Sequence, residues 1–314
     1  MTDVRSPDTS SRVLHRDPVA DARGRGQAGA VGLVIGGVFA QQFGAAVASL
    51  LFPRAGASGV VSLRLTLSAV VLLVVCRPVV RGYRRSDWAV VMAFGVALAG
   101  MNTLFYQAIA RIPLGAAVTL EVLGPLVLSV VTARRASGWL WAALALTGVA
   151  LLGRGGLDGL NLAGSAFALG AAAMWAAYIV LSARTGSRFP KADGLALAMG
   201  VGALTSLPAG VAAAGSTLVQ PVSLGLGAAV ALLSSVFPYT LELLALRRLH
   251  KATFAVLMSL APAVAATAGY LVLDQDLAAP EVLAVLLVVT ASAGAVRAST
   301  NPAPNRRETP DGPN

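Results

Sequence analysis

Six uncharged stretches constrain the fold of this chain more than any other feature. They cover residues 26–53, 88–110, 136–153, 159–183, 194–241 and 252–273. Each is about as long as the roughly 20 residues that a helix needs to cross ~30 Å of hydrocarbon, and the fifth is long enough for two crossings. Only 12% of the residues are charged, far below the roughly 25% of soluble domains. The chain is therefore predicted to be an all-α membrane protein in a lipid bilayer.

The pattern predicts ten transmembrane helices, called spans 1 to 10 below. They are expected at 30–51, 58–76, 88–107, 113–132, 137–153, 161–183, 194–213, 223–246, 252–273 and 279–297. Residues 1–29 are polar and lack the apolar core of a signal peptide, so span 1 is expected to stay in the protein. Residues 299–314 are expected to form a disordered tail.

Positive charge is distributed very unevenly between the two ends of the predicted spans. Twenty of the 24 Lys and Arg residues lie in the N-terminal segment or directly after the even-numbered spans. The opposite side has only Arg54, Arg111 and Arg154, and Arg64 lies inside span 2. This asymmetry predicts a multi-pass protein of the plasma membrane with both termini cytoplasmic. The net charge of +10 therefore reflects topology, and no nucleic-acid partner is expected.

The residues of metal, redox and nucleotide sites are scarce. Cys76 is the only cysteine, and His15 and His250 are the only histidines. We expect no internal disulfide, no metal site and no cofactor. No phosphate-binding loop of the G-x-x-x-x-G-K-[ST] type is present, which argues against an ATP-driven pump. An enzyme is disfavoured because the spans lack paired carboxylates, whereas a channel or a structural subunit remains an alternative.

A weak internal repeat appears when the chain is shifted by 137 residues. The shift aligns Pro125 with Pro262, Arg111 with Arg248, and Leu123 with Leu260. It predicts a first five-helix repeat over 30–153 and a second over 161–298. Because five is an odd number, the second repeat enters the membrane inverted, which is typical of secondary transporters with a midplane site.

Four stretches carry a resemblance to a known family. They are "LFPRAGASGVVSLRLTLSAVVL" at 51–72, "GMNTLFYQAIARIPLGAAVTLEVLGPL" at 100–126, "ALGAAAMWAAYIV" at 168–180 and "FPYTLELLALRRLHKATFAVLMSLAPAVAA" at 237–266. The chain resembles the EamA-type drug/metabolite transporter superfamily, most closely its bacterial threonine/homoserine exporter branch. The resemblance implies a five-plus-five helix fold and export of small polar metabolites.

Glu121 is the only charged residue between Ile112 and Ala133 in span 4. A charge near the bilayer centre costs at least ~2.5–3.5 kcal/mol, so its side chain should face the protein interior or water. Pro125 lacks the N–H that would bond the Glu121 carbonyl, so carboxylate and carbonyl are both available to an ammonium or a proton. Alternatively, Glu121 forms a structural ion pair with Arg64, which lies at a similar depth. Arg64 could instead extend to the outer surface or bind a substrate carboxylate.

Other polar and aromatic residues of the spans are candidates for the same site. Glu242 could belong to it or form a surface ion pair with Arg247. The remaining candidates are Gln41, Gln42, Asn102, Tyr106, Trp175, Tyr178 and Tyr239. Each could instead join helices or sit at the membrane interface, but together with an acid and an arginine they suit a zwitterion. Pro125 and Pro262 are expected to kink their helices and to take part in gating.

These features predict a secondary exporter of an amino acid or a related small polar metabolite, coupled to proton entry. An exporter of drugs or other apolar metabolites with the same fold is the alternative. It would need a more apolar cavity and could dispense with Arg64. A homodimer is compatible with the sequence.

Overall fold

The structure is a computed structural model that describes residues 18–133, 136–152, 161–246, 249 and 251–300. Most of the polar N-terminal segment and nearly all of the predicted C-terminal tail lie outside these residues. Every regular element within the described part is helical. In hydrocarbon a helix satisfies its own backbone N–H and C=O groups, which is why apolar segments of this length fold as helices.

Thirteen α-helices, numbered in chain order, make up the described part. They are α1 Pro18–Ser49, α2 Phe52–Cys76, α3 Arg85–Ile109, α4 Leu114–Glu121, α5 Leu123–Ala133, α6 Ala136–Leu152, α7 Leu162–Gly186, α8 Asp193–Ala214, α9 Pro221–Ala231, α10 Phe237–Leu246, α11 Lys251–Met258, α12 Ala261–Leu273 and α13 Ala279–Thr300. A 3₁₀ turn, Gly215–Val219, follows α8, and a π-helical segment, Leu232–Val236, joins α9 to α10.

The helices cover all ten predicted spans, although α1 begins at Pro18 and not at residue 30, and α2 at Phe52 and not at residue 58. Spans 4, 8 and 9 are each made of two helices: α4 with α5, α9 with α10, and α11 with α12. Nine of the spans are long and apolar enough to cross a membrane among the described residues. In span 5 the apolar helix is shorter, Trp139–Val149. The chain is thus a multi-pass membrane protein, and its described part is all-helical, with nine candidate crossings where ten were predicted.

Large apolar side chains cover much of the outer surface, while several polar side chains are buried. Val75 is 73% exposed and Trp139 is 69% exposed, whereas Arg64, Gln42 and Asn102 are buried. Exposed apolar surface on this scale is expected where lipid, and not water, surrounds the protein. The polar groups inside therefore mark the places where function is to be sought.

Prolines coincide with the interruptions in spans 4, 8 and 9. Span 4 breaks at Val122, three residues before Pro125, and span 9 breaks at Ser259–Leu260, just before Pro262. The π-helical segment of span 8 ends directly before Phe237–Pro238. Proline has no N–H and clashes with the carbonyl four residues earlier, so each break has a local cause. The predicted kinks at Pro125 and Pro262 agree with these breaks.

Helix α2 begins at Phe52, before the start predicted for span 2 at residue 58, and Gly56 interrupts its helical backbone. Its φ of 64° and ψ of 164° lie outside the helical region and bend the first turn of α2. Glycine adopts this backbone conformation without the steric cost that a side chain would bring. The predicted start of span 2 therefore lies just after this interruption, whereas the helix itself begins earlier.

The two halves of the chain pack closely against each other. Span 1 packs against span 8, span 2 against span 7, span 3 against span 6, span 4 against span 9, and span 5 against span 10. Small residues allow this approach: a Cβ at Gly124 would collide with the Ala172 carbonyl oxygen, and one at Gly210 with the Ser62 side chain. Apolar surface alone does not drive helices together in lipid, so close backbone packing of this kind has to hold them together.

Candidate functional site

Three adjoining cavities lie between the helices and contain most of the predicted site residues. The arginine cavity, of about 40 Å³, is lined by Gln41, Gln42, Ala45, Arg64, Met101, Asn102, Phe105 and Glu121. The acid cavity, of about 70 Å³, is lined by Gln41, Met101, Glu121, Trp175, Tyr178, Glu242 and Met258. The large cavity, of about 270 Å³, shares Trp175, Tyr178, Glu242 and Met258 with the acid cavity.

Arg64 of α2 is buried and binds groups from two other helical segments. Its Nη2 donates to the Ser234 carbonyl oxygen at 2.7 Å, and its Nε donates to Ser235 Oγ at 3.2 Å. Its Nη1 donates to the Tyr106 hydroxyl at 3.1 Å. With only 5% of its surface exposed, Arg64 does not extend to the membrane surface, so that alternative is wrong. Instead, the guanidinium joins α2 to α3 and to the π-helical segment.

The Ser234 carbonyl is available to Arg64 because Pro238 follows four residues later. In a regular α-helix residue 238 would donate its N–H to this oxygen, and proline cannot. A charged donor such as guanidinium is a strong substitute for the missing backbone bond. The free carbonyl of Ser234 thus helps to fix the position of Arg64, although Ser234 and Arg64 are far apart in sequence.

Glu121 ends α4 and lines both the arginine cavity and the acid cavity. Arg64 and Glu121 face the same cavity, yet no salt bridge joins them within the described part of the chain. The ion pair considered from the sequence is therefore not formed in this structure. Acid and guanidinium are both left to interact with a third group in the cavity.

Glu242 lies on α10 and lines the acid and large cavities together with Trp175 and Tyr178. Its position in the two cavities differs from the surface location considered as an alternative. Arg247, the suggested ion-pair partner, lies outside the described residues. The acid cavity thus brings Glu242 together with Glu121, which is the first of the two positions considered for Glu242 from the sequence.

The remaining predicted residues either line a cavity or contact a residue that does. Gln41 and Gln42 both face the arginine cavity, where at least one was expected. Asn102 also lines it, and its amide donates to the Leu98 carbonyl of the same helix at 2.8 Å. Tyr106 is fully buried, and its hydroxyl accepts a hydrogen bond from Arg64.

Two further predicted residues, like Tyr106, are absent from the described cavity linings. The side chain of Tyr239 lies outside the part of the chain that the structure describes. Pro262 is buried at the start of α12 and is absent from the described cavity linings, whereas Pro125 contributes to the large cavity.

Known proteins resemble this chain over most of its length. Residues 162–297 match the model of the EamA-like transporter family. The chain is 39% identical over 255 residues to the threonine/homoserine exporter RhtA of Salmonella typhimurium, covering 81% of this chain and 86% of that protein. Identity to the threonine/homoserine exporter RhtA of Escherichia coli (strain K12) is 40% over the same shares.

This chain belongs to the EamA-like transporter family. An EamA-like transporter moves a solute across a membrane and is not an enzyme, in agreement with the prediction from the sequence. A solved structure described only as a crystal structure of a protein aligns with 87% of this chain and 98% of its own, with a TM-score of 0.56 and 18% identity. At that identity the similarity concerns the fold alone.

Several residues of this EamA-like transporter that line the cavities escaped prediction. Met101 and Met258 line two cavities each, and Ser129, Ser259 and Ser292 line the large one. Ser234 and Ser235, which bind Arg64, were missed as well. The signal available was weak: serines within apolar spans, and a proline four residues after Ser234.

Proposed function

We propose that this chain is a secondary transporter that exports a small amino acid of the threonine or homoserine type across the plasma membrane, in exchange for protons. Relatives named as threonine/homoserine exporters are 39% and 40% identical to it over 255 residues. The observation that carries the proposal is that Arg64 and Glu121 line one cavity without pairing. A zwitterion would supply a carboxylate to Arg64 and an ammonium group to Glu121, neither of which forms a salt bridge within the described part of the chain.

The guanidinium of Arg64 is the group proposed to bind the substrate carboxylate. Arginine has five N–H donors, and the three contacts to Ser234, Ser235 and Tyr106 leave two of them for a carboxylate. The amides of Gln41, Gln42 and Asn102 line the same cavity. A planar, anchored guanidinium binds a carboxylate with defined geometry, which a lysine in this place would not achieve.

The carboxylates of the acid cavity are proposed to bind the ammonium group. Glu121 and Glu242 line it together with the rings of Trp175 and Tyr178, whose faces also attract cations. Glu121 would alternate between a protonated form and a form that binds the ammonium. Since a buried charge is costly in hydrocarbon, exchange of one cation for the other keeps the acid neutralised at each step.

Three observations support an inverted repeat of two five-helix halves. The sequence repeat aligns Pro125 with Pro262, and the helix breaks at Val122 and Ser259 are separated by the same shift. The packing has the matching symmetry. In an inverted repeat span 6 corresponds to span 1 and span 3 to span 8, and spans 6 and 3 pack against each other as spans 1 and 8 do. Related halves can exchange conformations, which exposes a central site to either side in turn.

The orientation proposed from the positive charges has both termini in the cytoplasm. The large cavity then lies towards the cytoplasm, since its lining includes Phe254 near the start of span 9 and Val296 near the end of span 10. The arginine cavity lies deeper and is too small for a whole amino acid. We infer that this conformation receives substrate from the cytoplasm.

Export by liposomes containing the purified protein tests the proposal. An inwardly directed or outwardly directed pH gradient is imposed, and the movement of radiolabelled threonine and homoserine is measured. Transport that follows the proton gradient and saturates with substrate is expected. Movement of apolar drugs without movement of either amino acid would favour the alternative substrate class, and transport indifferent to pH would contradict proton coupling.

A further inference from the structure

In the proposed orientation, the side chain of Gln275 joins the outer ends of spans 4 and 9. Its Oε1 accepts a hydrogen bond from the Leu114 backbone N–H at 3.0 Å. Leu114 is the first residue of α4, and Gln275 lies in the connection between α12 and α13. The first N–H groups of a helix have no acceptor within that helix, and Pro113 at the N-cap supplies no side-chain acceptor. The start of α4 therefore takes an acceptor from the other half of the chain.

The backbone around Gln275 directs its side-chain amide towards α4. Asp274 ends α12 with a φ of 51°, and the Gln275 backbone N–H donates to the Gly269 carbonyl at 3.2 Å. Gly269 is buried, and a Cβ there would lie only 2.6 Å from the Gln275 Oε1. A second close approach is made at Gly115, where a Cβ would lie 2.9 Å from the Ala266 Cα. The outer halves of spans 4 and 9 thus pack with their backbones close together.

The cytoplasmic halves of the same two spans face a cavity instead. Helix α5, the second helix of span 4, contributes Pro125, Leu126 and Ser129 to the wall of the large cavity, and α11, the first helix of span 9, contributes Phe254 and Met258. Both spans are broken between their two helices, so the outer and cytoplasmic halves can move separately. In alternating access a site open to one side is closed to the other. The contact at Gln275 therefore closes the outer side while the large cavity faces the cytoplasm.

We propose that the hydrogen bond from the Leu114 N–H to Gln275 is a latch that holds the outer side closed and breaks each time the transporter opens outwards. This deepens the proposed function and rests on its alternating access and orientation. Arg111 of span 3 makes a second contact between the halves, with its Cζ 4.8 Å from the centre of the Phe167 ring of span 6. Loss of the latch alone should therefore shift the ratio of the two conformations about fivefold, the effect of one ordinary hydrogen bond, without inverting it.

The reactivity of a cysteine in the cavities, measured from each side of the membrane, tests the latch. Met101 lines the arginine and acid cavities, so Met101→Cys in a Cys76→Ser background reports access to the centre of the protein. The full chain in right-side-out and inside-out vesicles is treated with a membrane-impermeant thiol reagent. Gln275→Ala should raise the labelling rate from outside about fivefold and leave the rate from the cytoplasmic side nearly unchanged, because the rarer outward-open conformation gains most in proportion.

Two further substitutions separate the latch from a general loss of packing in the turn. Gln275→Glu keeps the acceptor oxygen and adds a negative charge at the start of α4, where the helix dipole favours it. Its labelling rate from outside should stay at or below that of the wild type. Asp276→Ala is the matched control, because it removes an exposed side chain from the same turn. It should change neither rate.

Three results would overturn the latch: an unchanged outside rate in Gln275→Ala, an equal rise from both sides, or an equal rise in Gln275→Glu or Asp276→Ala. An equal rise from both sides would mean that the structure has loosened, since a shift between two conformations favours one side. Failure of the proposed function has another signature: the wild type would transport neither threonine nor homoserine in liposomes, whatever the labelling rates.

Discussion

Glu121 is the residue whose carboxylate is proposed to exchange the coupled proton in this transporter. We expect Glu121→Gln to lose nearly all transport driven by a pH gradient, at least about a hundredfold, because the amide keeps the shape but cannot exchange a proton. Folding should survive, since a neutral amide costs less in an apolar environment than a carboxylate. Substrate flux in liposomes and thermal unfolding in detergent measure the two effects.

Asp276→Asn serves as the control for this substitution, because Asp276 is an exposed carboxylate in the turn between α12 and α13. Its transport should match the wild type. Glu121→Asp should keep part of the activity with an altered pH profile. If Glu121→Gln exports threonine with full pH dependence, the carboxylate has a structural role only.

Tyr106 contacts Arg64 without lining the arginine cavity, and its hydroxyl accepts one of the three hydrogen bonds that fix the guanidinium. Tyr106→Phe removes this acceptor while keeping the ring, which lies 5.5 Å from the Arg64 Cζ. A hydrogen bond to a charged group contributes about 1.5–3 kcal/mol. We expect the KM for threonine to rise about tenfold with little change in maximal rate. A lower maximal rate at unchanged KM would speak against a role in carboxylate binding.

At the scale of helices, the break in span 4 is expected to act as a hinge. Pro125→Ala supplies the N–H that the Glu121 carbonyl lacks and should straighten α4 and α5 into one helix. The protein should become more stable to heat while transport slows several-fold, because a stiffer element changes conformation less readily. Stopped-flow flux and thermal unfolding provide the test. Normal transport by Pro125→Ala would reduce the proline to a packing feature.

Pro238 should behave differently, although it too frees a carbonyl. In Pro238→Ala the new N–H competes with Arg64 for the Ser234 carbonyl, and so loosens the guanidinium from its 2.7 Å contact. We expect a higher KM for threonine, with turnover closer to the wild type than that of Pro125→Ala. Identical kinetic effects of the two substitutions would show that both prolines act only through helix stiffness.

At the scale of the whole molecule, the proposed topology can be checked by chemical labelling. The Arg188 side chain is 3.1 Å from Asp87, so the connections after spans 2 and 6 lie on one face of the protein. The turn containing Asp276, after span 9, should lie on the other. In a Cys76→Ser background, an impermeant thiol reagent applied to intact cells should label a cysteine at position 276 and leave one at position 188 unlabelled. Labelling at position 188 and not at position 276 would show that the orientation is the opposite of the one proposed.

Much of the architecture follows from the sequence because lipid restricts what a chain can do. An uncharged run of about 20 residues in hydrocarbon has to form a helix, and charge has to gather at its ends, so spans and their boundaries can be derived locally. Pro125 and Pro262 mark helix breaks for an equally local reason. Even the interior position of Glu121, which lines two cavities, could be expected, since a lone carboxylate in an apolar span should face the protein interior or water.

The partners of these residues were decided only by the tertiary structure. Arg64 could be assigned a depth from its position, but its contacts to Ser234 and Ser235 depend on how span 2 is rotated against span 8. For the same reason the sequence suggested an ion pair with Glu121 that does not form. Glu242 lines the acid and large cavities because spans distant along the chain pack face to face. Hydropathy determines which segments cross the membrane, but the fit of side chains between helices determines which polar groups meet.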